Sequence, residues 1–167
     1  LSDTMNFHSP TTTERDVSTA NILAAIADLD IEEFAEELFT ITSNQKNVSY
    51  SDMINQDRKI YEIHSCRLSI SQVIVPSAKE MRADAREITG ALDHFARKKQ
   101  IDLAVLVLTS ILENGSVVYA GGNRASWALE AFPNREEEEY TFQDNLLSRK
   151  QQILPALSSV IGEYMGG

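Results

Sequence analysis

The apolar run from Ile101 to Thr109 is the feature that most constrains how this chain folds. It is far shorter than the roughly 20 residues that a membrane-spanning helix requires, so it does not predict a membrane segment. Asp102 interrupts it near its start, and its length is typical of a buried strand. We therefore expect this segment to be the central strand of a sheet.

The sequence on both sides of this strand predicts its neighbours. Arg58–Ile63 and Arg67–Val75 have strand-like alternation and are separated by a short turn. Downstream, the pair Asn114-Gly115 is a hairpin signal, which predicts that Val117–Ala120 pairs antiparallel with the apolar strand. These segments together predict a sheet with several strands.

Helices are predicted between and after the strands. A helix from Ser77 to about Lys99 has one apolar seam at helical spacing, and the seam residues are Met81, Ala85, Ile88, Leu92 and Phe95. Residues 125–131 predict another helix, and Pro155 suits the first turn of a final one. From residue 50 onward the predicted fold class is therefore α/β, a mixed β-sheet flanked by helices.

Two further helices are predicted before this α/β unit. Thr11 and Glu14 have the spacing of a capping box, and Ile31–Ile41 is a second amphipathic segment. Their apolar stripes cannot be buried against each other alone, so we expect them to form the end of a larger layer. The polar stretch 44–49 is a predicted linker, which divides the chain into residues 1–43 and 50–167.

Composition narrows the classes of function. Asp and Glu number 25 against 15 Lys and Arg, a net charge of -10, which argues against a nucleic acid partner because such affinity depends on neutralising phosphates. No apolar run is long enough to predict a membrane partner. The single cysteine, Cys66, cannot form an internal disulfide and fits a cytoplasmic location.

Against this acidic background, one basic motif is a candidate binding site. Ser148, Arg149 and Lys150 directly precede the final helix. An arginine fork beside a compact lysine charge suits an anion with several oxygens, and Lys59 is a further cation on a predicted strand. A solvated basic pair near a helix start is the alternative. These residues permit an anion site but do not identify the anion.

Other chemical signatures are missing from the sequence. The three histidines lie far apart without the spacing of metal ligands, and there is no catalytic triad, Walker loop or glycine-rich dinucleotide motif. The glutamate run at residues 136–139 predicts a solvated loop, since consecutive side chains point in different directions.

Four segments, in order along nearly the whole chain, resemble the manganese-dependent (family II) inorganic pyrophosphatases of the DHH phosphoesterase superfamily. They are LSDTMNFHSPTTT at residues 1–13, DRK at 57–59 with SISQV at 69–73, LVLTSIL at 106–112, and SRKQQILP at 148–155. The chain resembles the C-terminal part of these enzymes. The resemblance implies that residues 1–43 are the tail of the catalytic DHH domain and that residues 50–167 are the DHH-associated, substrate-binding domain.

The resemblance also implies a reaction and a set of site residues. The parent enzyme would hydrolyse inorganic pyrophosphate to two phosphates, with Asp3 binding metal and Lys59, Ser148, Arg149 and Lys150 binding pyrophosphate. The metal would be Mn²⁺, with Co²⁺ or Mg²⁺ as alternatives, held mostly by the N-terminal DHH domain of the same parent chain. We expect the fragment alone to be inactive and to be able to form a homodimer.

The chain departs from the family pattern in two ways. The Asp-His-His motif and the other metal-binding residues are not in this sequence. Ser110 stands where relatives often have an aspartate, and Gln151 stands where a lysine is common. Two alternative functions remain open from the sequence: an exopolyphosphatase of the same superfamily, and a non-catalytic module for anion sensing or protein interaction.

Overall fold

A computed structural model describes residues 4, 6–42, 48–75, 77–78, 80–110, 113–133 and 140–166. The helices are α1 (Glu14–Ala27), α2 (Ile31–Thr42), α3 (Tyr50–Asn55), α4 (Ala85–Lys99), α5 (Ala125–Ala131) and α6 (Leu154–Met165). The strands are β1 (Lys59–Ile63), β2 (Cys66–Val75), β3 (Leu103–Ser110), β4 (Gly115–Gly121) and β5 (Tyr140–Asp144). A 3₁₀ turn spans Glu80–Asp84, and a π-helical turn spans Arg149–Ile153.

The five strands form one mixed sheet in the order β1-β2-β3-β4-β5. β2 and β3 are parallel, and the other neighbouring pairs are antiparallel. The predicted α/β fold with a mixed, helix-flanked sheet is thus confirmed, and the apolar strand β3 lies in its centre. Every residue of β3 is buried, as expected for a strand covered on both faces.

Two hydrophobic cores cover the two faces of the sheet. The first core packs α3 and α4 against one face and includes most of the predicted seam of α4: Ala85, Ile88, Leu92 and Phe95 are buried, and Met81 packs partly against them. The second core packs α5 and α6 against the other face, around Trp127, Ile153 and Leu157. The candidate site described below lies on this second face.

The long helix begins later than the sequence predicts. Ser77 does not cap it, because the Ser77 hydroxyl donates instead to Glu113 Oε1 at 3.0 Å. A 3₁₀ turn follows, and α4 starts only at Ala85. Asp84 precedes α4 and accepts a 2.5 Å hydrogen bond from the Tyr50 hydroxyl, which ties this helix start to α3.

The capping box of α1 lies two residues beyond its predicted position. Thr13, not Thr11, is the N-cap: its hydroxyl accepts from the Asp16 amide at 3.3 Å, and Asp16 Oδ2 accepts from the Thr13 amide at 2.8 Å. Thr11 instead shares a 2.7 Å hydrogen bond with Ser9 in the preceding turn. Asp16, at the third helical position, accepts the hydrogen bond that a glutamate usually accepts in a capping box. The predicted pairing of Thr11 with Glu14 is therefore wrong.

Strand β5 was missed at the sequence level. Residues 140–144 pair antiparallel with β4, with Thr141 opposite Val118 and Tyr140 opposite Tyr119. Most of the predicted linker and the glutamate run at 136–139 lie outside the described residues. None of the helices in the described part of the chain is long and apolar enough to cross a membrane.

Candidate anion-binding site

The chain between β5 and α6 brings the basic motif from one edge of the sheet to the other. β5 is one edge strand and β1 is the opposite edge. Segment 145–149 nevertheless ends with Arg149 bonded to Asp57, which lies two residues before β1. Side chains from the strands in between fix this crossing segment by hydrogen bonds.

Buried hydroxyl groups on β3 and β4 hold the first part of the crossing segment. Ser116 on β4 donates to the carbonyl of Leu146, and its oxygen lies 2.9 Å from Thr109 Oγ1 on β3. Both hydroxyl groups are fully buried. A buried polar group without a partner costs about 1–3 kcal/mol, so these strand residues favour one position of the segment.

Two glutamine side chains hold the second part. Gln72 on β2 donates through Nε2 to Thr109 Oγ1 at 2.9 Å and to the Leu147 carbonyl at 3.0 Å. From the other side, Gln152 Oε1 accepts from the amides of Leu147 and Ser148, each at 2.9 Å. The peptide that leads into the basic motif is therefore bonded on its amide and its carbonyl sides.

The basic motif itself begins as a capped helical turn. Ser148 is the N-cap, and its hydroxyl oxygen accepts from the Gln151 amide at 3.3 Å. The π-helical turn then continues into α6, with Pro155 in the first turn of that helix as predicted. Ile153 is fully buried in the second core, which anchors the turn, while Lys150 remains exposed.

Arg149 lies against the segment that carries Lys59. Its Nη1 is 3.0 Å from Asp57 Oδ2, its Nη2 is 3.3 Å from Oδ1, and Nη1 also donates to the Asp57 carbonyl. Lys59 opens β1 opposite Ile70, and strand alternation puts it on the same face as Tyr61 and Ile63, which pack in the second core. The fold thus brings together Arg149 and the strand of Lys59, which are 90 residues apart in the sequence.

The described residues do not supply a metal site. Among them there is no group of three or more His, Cys, Asp or Glu side chains that could hold an ion. Asp3, the metal ligand implied by the resemblance, lies outside the described residues. The part of the chain that the structure describes can therefore offer an anion positive charge and hydrogen bonds, but not metal coordination.

Cys66 does not add nucleophilic chemistry. Its side chain is buried at the start of β2, and burial, together with the charge of Asp102, raises the pKa of the thiol. A raised pKa keeps the sulfur protonated at neutral pH, and the thiol form is a poor nucleophile. The cysteine is a core residue.

The sequence reasoning missed the residues that support the cations. Asp57, Gln72 and Gln152 stood inside the segments of family resemblance but had no assigned role. Gln72 carried a local signal, since it is a long polar side chain in an otherwise buried strand. Asp57 and Gln152 carried none, because their partners are set by the tertiary fold.

The fold is that of an α/β domain with a mixed sheet, in which the basic turn before the last helix contacts the segment before the first strand. The chain belongs to the DHHA2 domain family, which matches residues 36–160. It is 31% identical over 163 residues to a manganese-dependent inorganic pyrophosphatase of Bacillus subtilis, covering 98% of this chain and 53% of the relative. A cobalt-dependent inorganic pyrophosphatase of Clostridium perfringens is 32% identical, covering 96% of this chain and 29% of the relative.

A solved structure leads to the same family. A crystal structure from Methanococcus jannaschii, assigned to the family II inorganic pyrophosphatases, matches 99% of this chain and 53% of that chain with a TM-score of 0.78 and 31% identity. The chain thus spans about half the length, or less, of the curated relatives it matches. These comparisons confirm the resemblance that the four sequence segments indicated.

Proposed function

We propose that this chain supplies the substrate-clamping domain of a two-domain, manganese-dependent inorganic pyrophosphatase, which hydrolyses pyrophosphate to two phosphates. The observation that carries this proposal is the contact of Arg149 with the segment before Lys59. The chain crosses the whole width of the sheet, from β5 to the β1 edge, to make this contact. In a chain with a net charge of -10, this contact brings Arg149 to a segment that continues with Arg58 and Lys59. The activities named for the relatives give the anion and the metal.

The chemistry of pyrophosphate hydrolysis suits these side chains. Arg149 offers a planar fork for two phosphate oxygens, and Lys59 and Lys150 offer compact charges. Fixed cations of this kind stabilise the negative charge that develops on the leaving phosphate. Ser148 has a narrower role: its amide donates to Gln152 and its oxygen accepts from Gln151, so its own hydroxyl hydrogen is the donor left for phosphate.

We propose that the metal is bound mostly by the N-terminal DHH domain of the parent chain. We propose Mn²⁺, with Co²⁺ as an alternative because one relative is named as cobalt-dependent. When bound, such ions make water a competent nucleophile at neutral pH. Asp3 is proposed as one ligand, and the other ligands would come from the N-terminal DHH domain.

We also propose that residues 1–43 belong to that catalytic domain. Helix α1 has no buried residue, and large apolar side chains of α1, α2 and the connection between them are exposed: Ile22, Leu23, Ile26, Leu29 and Phe34. Between the two helices an apolar cavity of about 270 Å³ opens beside Leu23 and Phe34. Exposed apolar surface of this kind is usually covered by a partner, and the remainder of the DHH domain is the proposed cover.

An exopolyphosphatase is the second enzyme candidate, because the same cations would bind the end of a longer polyphosphate. The relatives named above favour pyrophosphate. Rates of phosphate release from pyrophosphate and from long polyphosphate, measured on the full-length protein, distinguish the two. A higher specificity constant on the polymer would reject the pyrophosphatase proposal.

The site is tested in the manganese-loaded, full-length protein that carries this chain. Replacing Arg149 or Lys150 by alanine removes hydrogen bonds to a charged group, each typically about 1.5–3 kcal/mol, so we expect kcat/KM for pyrophosphate to fall about 10- to 150-fold. Lys98→Ala is the matched control, since Lys98 is an exposed lysine near the C-terminal end of α4, which packs on the other face of the sheet. Phosphate release is measured directly.

Two results would contradict the proposal. If both Arg149→Ala and Lys150→Ala retained the catalytic efficiency of the unmodified protein, the assigned residues would not bind substrate. Rapid phosphate release by the 167-residue chain alone would reject the assignment of the metal to a separate half. For the isolated chain we expect no measurable turnover.

A further inference from the structure

The contact between Arg149 and Asp57 has a geometry that leaves part of the guanidinium unused. The Asp57 carboxylate faces Nη1 and Nη2, at 3.0 and 3.3 Å, and the carbonyl of the same residue accepts from Nη1. An arginine has five N–H donors in a rigid plane, and these contacts engage the end of that plane. The adjacent edge, formed by Nε–H and the outer hydrogen of Nη2, has no partner among the described residues.

Burial differs sharply between the two partners. The Arg149 side chain is 13% exposed, whereas that of Asp57 is 59% exposed. A mostly buried guanidinium loses much of its hydration and depends on its bonded neighbours for orientation. The carboxylate, still largely in water, restrains the arginine while contributing little net stability, as is usual for an exposed ion pair.

The segment around Asp57 is itself held in place. Asp57 has a left-handed backbone with φ of 42°, which few residues other than glycine, asparagine and aspartate adopt readily. On the other side, Arg58 donates to Asn55 Oδ1 at 2.5 Å and stacks 5.1 Å from the centre of the Phe95 ring. Asp57 is therefore a fixed point, and it directly precedes the strand that carries Lys59.

We propose that Asp57 is a positioning residue for Arg149: it occupies the end of the guanidinium and thereby directs the Nε–Nη2 edge toward a phosphate group of pyrophosphate. This inference rests on the proposed function. Asp57 itself does not touch substrate, since a carboxylate and a phosphate repel each other. It acts only through the arginine and through the segment it shares with Lys59.

A charge argument predicts how this role differs from simple substrate binding. Removing the carboxylate makes the local potential more positive, so pyrophosphate should bind at least as well in the ground state. The guanidinium, however, loses its fixed direction, and misplacement of a positioning group by about 1 Å can cost up to about 100-fold in rate. Loss of Asp57 should therefore lower kcat without raising KM.

The experiment compares Asp57→Asn, Arg149→Ala and the double variant in the full-length, manganese-loaded protein with pyrophosphate. Asparagine tolerates the left-handed backbone and keeps the carbonyl contact, so the fold is preserved. We expect Asp57→Asn to lower kcat about tenfold with KM unchanged or lower. In the Arg149→Ala background the same change should have no further effect. Glu62→Gln, which removes a charge from the opposite face of β1, is the matched control and should leave both constants unchanged.

Each other outcome decides against the inference or against its basis. An unchanged kcat in Asp57→Asn overturns the positioning role, and so does a tenfold loss that persists in the Arg149→Ala background. An inactive Arg149→Ala together with a normal Asp57→Asn rejects only this inference. A fully active Arg149→Ala also overturns this inference, and full activity in both Arg149→Ala and Lys150→Ala rejects the proposed function itself.

A second variant excludes a folding artefact. Asp57→Gly removes the carboxylate but relieves the left-handed strain, so its melting temperature should be no lower than that of the unmodified protein. If Asp57 positions Arg149, the glycine variant shows the same loss of kcat as the asparagine variant. If Asp57→Gly has a normal melting temperature and a normal kcat, the inference is wrong.

Discussion

The N-terminal hairpin of α1 and α2 and the sheet unit from α3 onward bury their apolar residues to very different degrees. In the sheet unit, two cores enclose the strands, and Leu106 and Tyr119 are fully buried. In the hairpin, Ile26 is 77% exposed and Ile22 is 59% exposed. Both regions have amphipathic elements with good local signals, so local pattern does not explain the difference.

What differs is the number of elements available to cover each apolar face. Each face of the sheet receives two helices, whereas the hairpin has one helix to cover another. A two-helix layer cannot enclose its own apolar stripe, which is why stable domains have at least two packed layers around a core. The contrast supports the proposal that the sheet unit folds by itself and that the hairpin belongs to a larger layer.

The largest expected difference between the two regions comes from a matched pair of side-chain truncations to alanine, made in the isolated chain. Leu106→Ala, in the centre of the sheet, should lower the free energy of unfolding by about 2–5 kcal/mol, because it leaves a cavity between β3 and α4. Ile26→Ala should change it by less than about 0.5 kcal/mol, because its side chain contacts mostly water. Urea unfolding followed by circular dichroism measures both. A similar loss in the two variants would show that α1 is part of the same cooperative unit.

A pair of glycines sharpens the comparison within the sheet unit. A Cβ at Gly121 would lie 2.6 Å from Leu92 Cβ and 2.8 Å from the Asp93 amide nitrogen, so Gly121→Ala should destabilise the protein by about 1–3 kcal/mol. Gly90 lies on α4 with no atom within 4 Å of such a Cβ, so Gly90→Ala should stabilise it by about 0.5–1 kcal/mol. Thermal unfolding distinguishes the signs. Equal effects would mean that the sheet and α4 do not pack as closely as described.

Most of the sheet unit could be predicted because its signals are local. The apolar run of β3, the Asn-Gly turn before β4 and the seam of α4 each follow from the periodicity of a short segment. Strand β5 was not predicted, because its sequence has no such pattern and because its pairing with β4 is set by contacts across the fold. The start of α4 was predicted wrongly for a similar reason. Ser77, the predicted cap, donates its hydroxyl to Glu113 instead.

The candidate site was predictable only through its cations and the family resemblance. Nothing in the sequence relates Arg149 to Asp57, because hydrogen bonds from Gln72 and Ser116 fix the crossing segment that brings the two together. In the sequence alone, those residues look like ordinary polar residues in buried strands. The roles of Lys59, Ser148, Arg149 and Lys150 therefore remain predictions that the proposed experiments test.

Two helix caps have small expected effects that also separate the two regions. Thr13 caps α1, and Ser49 caps α3 by accepting from the Asp52 amide at 3.2 Å. Either cap contributes about 1 kcal/mol to its own helix. Since α3 buries Met53 and Ile54 in the first core, Ser49→Ala should lower the global free energy of unfolding by about that amount.

Thr13→Ala should act differently, because α1 has no buried residue. Amide hydrogen exchange in α1 should become faster, while the urea midpoint of the sheet unit stays the same. A lower midpoint in Thr13→Ala would mean that the hairpin and the sheet unfold together, and the division of the chain near residue 43 would then be wrong. An unchanged midpoint with faster exchange confined to α1 would support a hairpin that becomes fully stable only when the proposed remainder of the DHH domain covers it.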